Sequence, residues 1–172
     1  MDAIDLKILK ALQQDARLTH QDLSDRVGLS PTPCARRIRK LEQDGMITGY
    51  AAQINEEKAG FGFSVFVSVR LDQQVDDRLR DFEAEVRLFP EIVDCWLMTG
   101  RFDYLVRVAV HDLNEFERFL TGRLNKVVGI ASLESAIPIR RVKNSVNRNI
   151  ANDNNIEYNK SISKNELIKL IE

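Results

Sequence analysis

The sequence predicts an α+β chain of two unlike units: an N-terminal helix-turn-helix of winged-helix-like type, then a ferredoxin-like βαββαβ domain. Three observations carry this. Residues 19–45 read as two short helices around a tight turn, the second with clustered cations; the hydrophobic period switches from helical to alternating at Phe63; and strands and helices then follow in the order β-α-β-β-α-β. The boundaries that follow are 1–50 for the helix-turn-helix, 51–61 for a linker, 62–143 for the ferredoxin-like domain and 144–172 for an atypical tail.

In order along the chain, residues 2–14 open with Asp2 as a cap and Asp5 three positions on, and place Ile4, Ile8, Leu9 and Leu12 on one stripe. Thr19 caps the next helix, whose Leu23 and Val27 face the first. Gly28 ends it, because glycine takes the left-handed conformation without steric cost, and Ser30-Pro31 then supplies an N-cap and first-turn pair. The third helix runs from about Pro31 to Gln43, with Cys34, Ile38 and Leu41 inward and Gly45 as its stop. After it, MITGYAAQI reads as a short strand or wing, and NEEKAGFG as a polar, glycine-punctuated linker.

In the second unit Phe63, Val65, Val67, Val69 and Leu71 share one face of a strand. Between Gln74 and Leu88 a helix buries Val75, Leu79, Phe82 and Val86, and Pro90 closes it. Strands at about 92–99 and 102–110 flank Gly100-Arg101 as a hairpin; a helix at 112–126 buries Leu113, Phe116, Leu120 and Leu124; and a strand at 130–142 ends the domain. With two helices over one face of a small open sheet, the other face, assigned Val65, Val67, Trp96 and Val106, needs a partner, so the expected unit is at least a homodimer.

At about 100° per residue, Thr32, Arg36, Arg39 and Lys40 project from the side of the third helix opposite its apolar stripe, and Arg37 sits on the flank near that stripe. Alone, a run such as RRIRK is most often a solvated face. On the second helix of a helix-turn-helix it lies on the element that enters a major groove, where guanidinium groups reach phosphates or guanine edges. Double-stranded DNA is the expected partner, through Ser30, Thr32, Pro33, Arg36, Arg37, Arg39 and Lys40. Ser30 serves as a cap, as a phosphate contact at the helix start, or as both.

Composition sets limits. The 172 residues are 44% hydrophobic and 30% charged with a net charge of −1, which suits a soluble chain and not a non-specific nucleic-acid coat, so the cationic character must be local. Only Cys34 and Cys95 occur, one per unit and each in an apolar pattern, which points to buried reduced thiols and a cytoplasmic setting with no disulfide or metal site. No leader pattern opens the chain and no apolar run approaches the roughly 18 residues of a membrane span. Neither a cofactor, a metal nor a membrane partner is expected.

The helix-turn-helix with GLSPTPC and RRIRKLEQDG, the ITGY exit and the later TGRFDYLV hairpin together resemble the leucine-responsive regulatory protein/AsnC (Lrp/AsnC) family over about residues 2–143. That resemblance implies a transcription regulator whose ferredoxin-like domain binds a small effector, commonly an amino acid, and builds dimers that assemble further, often to octamers. It places the effector around Thr99, Gly100, Arg101 and Asp103, at a subunit interface. An amino acid offers an ammonium to a carboxylate such as Asp103 and a carboxylate to free N–H groups around a glycine turn. From the residues alone a plain hairpin turn with a strand-entry cap is the better reading, and the resemblance brings the two level. Many relatives carry an acidic residue where this chain has Arg101, which bears on the identity of the ligand.

Two other classes share the layout. The tetrapyrrole decarboxylases resemble it, but only His20 and His111 are available here, and neither sits beside a nucleophile or at metal-ligand spacing. An architectural DNA-bending protein without an effector is the other. The asparagine-rich tail from Asn144 shows no family pattern; Ser163 with Leu167, Ile168, Leu170 and Ile171 suggests one short amphipathic helix, and a floppy terminus is the default.

Overall fold

In the computed structural model, which describes residues 1–143, Met1–Ala52 and Gln53–Val142 form two units. The helix expected in the tail lies outside the described residues. Among the described residues no helix is long and apolar enough to cross a membrane.

Capping fixes the starts of the first two helices. Helix α1 (Ala3–Gln14) begins at Asp2, whose carboxylate accepts the Ile4 and Asp5 N–H groups while the Asp5 carboxylate accepts that of Asp2. Helix α2 (His20–Val27) begins at Thr19 with the same reciprocal arrangement toward Asp22, and it ends at Gly28 in the left-handed region at φ 75°. Helix α3 (Pro31–Gln43) packs Cys34, Ile38 and Leu41 onto Ile8, Leu9, Ala11, Leu23 and Val27. Full burial of a Leu or Ile contributes about 1.5–3 kcal/mol, and helices this short are marginal alone, so the shared core carries the unit.

Two local expectations change here. Ser30 occupies the N-cap position of α3 but its side chain makes no capping hydrogen bond. A cap oxygen accepts from the second or third helical N–H, and the third residue is Pro33, which has none. The segment after Gly45 leaves as irregular chain, and among the described residues it pairs with no strand. It is anchored instead by Met46 and Ile47 N–H groups on the Leu41 carbonyl and by the Tyr50 hydroxyl on Glu42 at 2.9 Å.

The second unit runs β1 (Phe63–Leu71), α4 (Asp76–Val86), β2 (Ile92–Leu97), β3 (Tyr104–Val110), α5 (Leu113–Gly122), a 3-10 turn (Leu124–Lys126) and β4 (Ile130–Ala136). The sheet order is β2-β3-β1-β4 with every pairing antiparallel, the ferredoxin-like arrangement. Val65, Val67, Val69, Tyr104, Val106 and Val108 lie under the helices with Phe82, Phe116 and Phe119.

Several boundaries are tighter than expected. Strand β4 stops at Ala136 rather than near 142, since Pro138 cannot donate to the ladder. The helix expected over 112–126 breaks at Gly122 into the 3-10 turn, and Leu113 and Val75, at the starts of their helices, are 56% and 50% exposed; Phe119 is buried instead. Cys95 is exposed, unlike Cys34. Val65, Val67 and Val106 do not share a face with Trp96: Trp96 stands opposite Leu105, whereas Val106 stands opposite Cys95 on the helix side. The open face therefore carries Phe66, Trp96 and Leu105.

Candidate DNA-binding and effector sites

On α3 the residues Ser30, Thr32, Arg36, Arg39 and Lys40 are exposed and Pro33 is half-buried. Thr32, Arg36 and Lys40 are spaced by four and so form a row, with Arg39 beside it. Lys40 pairs with Asp44 at 2.9 Å, an exposed pair of the kind that exchanges easily with other anions. Among the described residues neither Arg36 nor Arg39 has an ion-pair partner, so both guanidinium groups are free for a phosphate or a base edge. Ser30, with its hydroxyl unused by the cap, presents a donor beside them.

Arg37 differs from these. Its Nη1 lies 2.6 Å from Asp2 Oδ2 and 2.8 Å from Asp5 Oδ1, which are the two members of the α1 capping box. The Asp5 N–H and the Arg37 guanidinium hold the Asp2 carboxyl below its ordinary value, and the two carboxylates push the Arg37 guanidinium up. Sequence alone placed Arg37 among the DNA contacts; its flank position, near the apolar stripe, was the one sign of a different partner.

In the second unit the connection from β2 to β3 is longer than a tight hairpin, spanning residues 98–103, with Thr99, Gly100 and Arg101 exposed and Gly100 at φ 112°. Asp103 turns the other way. It is 5% exposed; its carboxylate accepts the Leu71 N–H at 2.7 Å and the Gln74 amide at 2.6 Å, and its own N–H donates to the Val69 carbonyl. It thus clamps the end of β1 where the β1/β4 register slips between Arg70 and Leu71.

Arg101 stays outside, stacked at 4.7 Å on the Phe102 ring and paired with Glu134 at 2.8 Å. Around it Arg70, Phe102, Ser132, Leu133 and Glu134 line a concavity of about 370 Å³. Two guanidinium groups, one carboxylate and the Phe102 ring match, by type, what a zwitterion with an apolar side chain needs, whereas the Leu133 side chain, opposite Val69, packs into the core on the helix side. Arg70, Phe102, Gln74 and Glu134 escaped the sequence reading. Glu134 meets Arg101 only through the β1/β4 register, which sets it opposite Ser68.

His111 serves structure. His111 Nδ1 lies 2.6 Å from the Gly60 carbonyl and its ring stacks on Phe61 at 4.9 Å, which holds the linker end, while His20 is exposed in the first turn of α2.

Comparison with known proteins agrees with both halves. A family model described as a winged helix-turn-helix DNA-binding domain matches residues 1–48, and one described as the Lrp/AsnC ligand binding domain matches residues 64–147. The chain is 45% identical over 142 residues to the Bkd operon transcriptional regulator of Pseudomonas aeruginosa, covering 83% of this chain and 93% of that one. It is 37% identical over 145 residues to the leucine-responsive regulatory protein of Escherichia coli K12, covering 84% and 88% respectively. Among solved structures, a Neisseria meningitidis transcriptional regulator in complex with L-Met superposes with a TM-score of 0.80 at 36% identity, over 85% of this chain and 94% of that chain. An AsnC family regulator from Agrobacterium tumefaciens does so with a TM-score of 0.80 at 38% identity, over 86% and 96%.

Proposed function

Because the chain belongs to the Lrp/AsnC family of DNA-binding transcriptional regulators, we propose that it couples operator binding through α3 to an amino acid held beside the β2–β3 connection. It is a regulator and not an enzyme, as the names of its relatives and the types of its two matched domains agree, so the decarboxylase alternative falls away.

In this reading, α3 enters a major groove with Thr32, Pro33, Arg36 and Arg39 toward the bases and Ser30 and Lys40 toward phosphates. The concavity beside Thr99, Gly100 and Arg101 takes the effector: Arg70 and Arg101 receive its carboxylate, Glu134 its ammonium, and Phe102 its apolar side chain. Asp103, held by Leu71 and Gln74, shapes the turn from inside. The observation that carries the effector assignment is the pairing of opposite charges around that concavity. Two relatives point to an apolar amino acid: one is named as leucine-responsive and one was solved with L-Met.

Assembly follows from the sheet. Phe66, Trp96 and Leu105 form the apolar part of a face that no described residue covers, and a second copy closing over it gives the homodimer from which larger assemblies such as octamers are built, acting in the cytoplasm. Light scattering at micromolar concentration should show at least a dimer, and a monodisperse monomer would refute this part.

For the effector, thermal-shift screening of the full chain against the common amino acids reports any binder of the folded state, since stabilisation grows as RT ln(1 + [L]/Kd). Amino acids that raise the unfolding temperature then enter DNA-binding assays. If none raises it, or if those that do leave DNA binding unchanged, the coupling fails and a DNA-binding protein without an effector remains.

A further inference from the structure

All four oxygens of Asp2 and Asp5 are in use. Asp2 Oδ1 accepts from the Ile4 and Asp5 N–H groups and Asp5 Oδ2 from the Asp2 N–H, while Asp2 Oδ2 and Asp5 Oδ1 both face Arg37 Nη1. One guanidinium nitrogen thus closes the network that starts α1, across sequence separations of 35 and 32 residues. The Asp2 side chain is 51% exposed, but the Asp5 side chain is only 16% exposed and that of Arg37 32%, so the Asp5 half of the network is partly shielded from solvent. Arg36 and Arg39, one and two positions away, are exposed and unpaired among the described residues.

We infer that Arg37 is a positioning residue for DNA recognition: it locks α3 to the first turn of α1 and so sets the angle at which Thr32, Arg36 and Arg39 meet the groove, without touching DNA itself. To reach a phosphate Arg37 would have to leave two adjacent carboxylates without their counter-charge, beside a polyanion. It gains nothing by exchanging two carboxylates for one phosphate. The apolar core holds the three helices together, but such contacts are non-directional and tolerate rotation of one helix on another. A charge-assisted bond from a fixed fork to two backbone-anchored carboxylates is directional, and small misplacement of a recognition helix is felt at every base contact.

This inference rests on the recognition face proposed above, so Arg36→Ala serves as the control. The probes are a duplex selected by the wild-type protein from a random-sequence library and a random duplex of the same length, each titrated with the full chain at several salt concentrations. Arg37→Ala should lower affinity for the selected duplex by roughly tenfold, about the worth of one charge-assisted bond, while the salt slope stays at the wild-type value. Affinity for the random duplex should hardly change. Asp5→Asn should lower selected-duplex affinity in the same direction, although it removes a negative charge near DNA, and the double variant should be no worse than Arg37→Ala. Wild-type affinity in Arg37→Ala, or a salt slope reduced by about one together with tighter binding by Asp5→Asn, would overturn the inference and make Arg37 respectively idle or a phosphate contact. If Arg37→Ala does not fold, the sign of the Asp5→Asn effect decides alone. Should Arg36→Ala also bind as wild type does, the recognition face is wrong and not merely the role of Arg37.

Discussion

The two candidate sites are built the same way from different material. On α3, Arg37 turns back to Asp2 and Asp5 while Arg36 and Arg39 have no ion-pair partner among the described residues; at the β2–β3 connection, Asp103 turns back to Leu71 and Gln74 while Arg101 remains outside. In each case neighbouring charged residues diverge, one holding the scaffold and the other exposed at the surface. A charge in a motif therefore marks the locality of a site but not its own direction. Direction is set by partners about thirty residues away in sequence.

The largest effect that tests this division is expected at Asp103. Asp103→Ala leaves the Leu71 N–H without its acceptor in the interior, a loss of about 1–3 kcal/mol from that group alone. The single tryptophan, Trp96, lies on β2, so fluorescence during denaturant unfolding of the full chain reports this unit directly. Asp103→Asn should lose less, because the amide oxygen can still accept one of the two bonds. Loss of effector binding with unchanged stability would instead place Asp103 on the ligand and erase the parallel with Arg37.

Next in size is the outward member of the other pair. Arg36→Ala should weaken binding to a selected duplex by about 1–3 kcal/mol if it reads a base edge, with no change in unfolding temperature. Should Arg36 meet phosphate, sequence preference would persist and the salt slope would fall by about one unit. Arg101→Ala comes third. Its pair with Glu134 is 75% and 60% exposed and so contributes at most about 1 kcal/mol to stability, yet effector affinity measured by calorimetry should fall by about tenfold. An Arg101→Ala protein with normal effector affinity would move the ligand away from the concavity.

What the sequence made legible follows the range of the forces involved. The caps at Asp2 and Thr19, the left-handed Gly28 and the stripes of α1 and α3 depend on residues a turn apart, and their positions were read correctly. Alternation in β1 likewise grouped Phe63, Val65, Val67, Val69 and Leu71 on one face, but Val65 and Val67 were assigned to the side awaiting a partner copy and in fact lie under the helices. Alternation within a strand says that two faces exist, not how the faces of different strands correspond. Trp96 was for that reason grouped with Val65, Val67 and Val106, although the β2/β3 register, which slips between Ile92 and Asp94, puts it on the other side. Glu134 was missed because only the pairing of β4 with β1 brings it near Arg101. Ser30 was misjudged as a working cap although Pro33, visible in the sequence, removes the N–H such a cap would bind.

The smallest expected effect concerns acid. The Asp2 carboxyl sits below its ordinary value of 3.8, first because the Asp5 N–H donates to it and then because Arg37 does. A carboxyl whose folded value is lowered stabilises the fold above its unfolded value and stops doing so as pH falls through the folded one. Arg37 moves upward and stays charged throughout that range. The contribution of the network should therefore be constant from neutral pH down to about 5, and decline from there as pH falls through 3.8 toward the lowered folded value. In Arg37→Ala the N–H bonds persist, so Asp2 should titrate higher than in the wild type but still below its ordinary value. Carboxyl titration by NMR on both proteins reads this directly. Identical Asp2 curves would mean that the guanidinium spends its time elsewhere, and the symmetry between Arg37 and Asp103 as inward-turned holders of their sites would be lost.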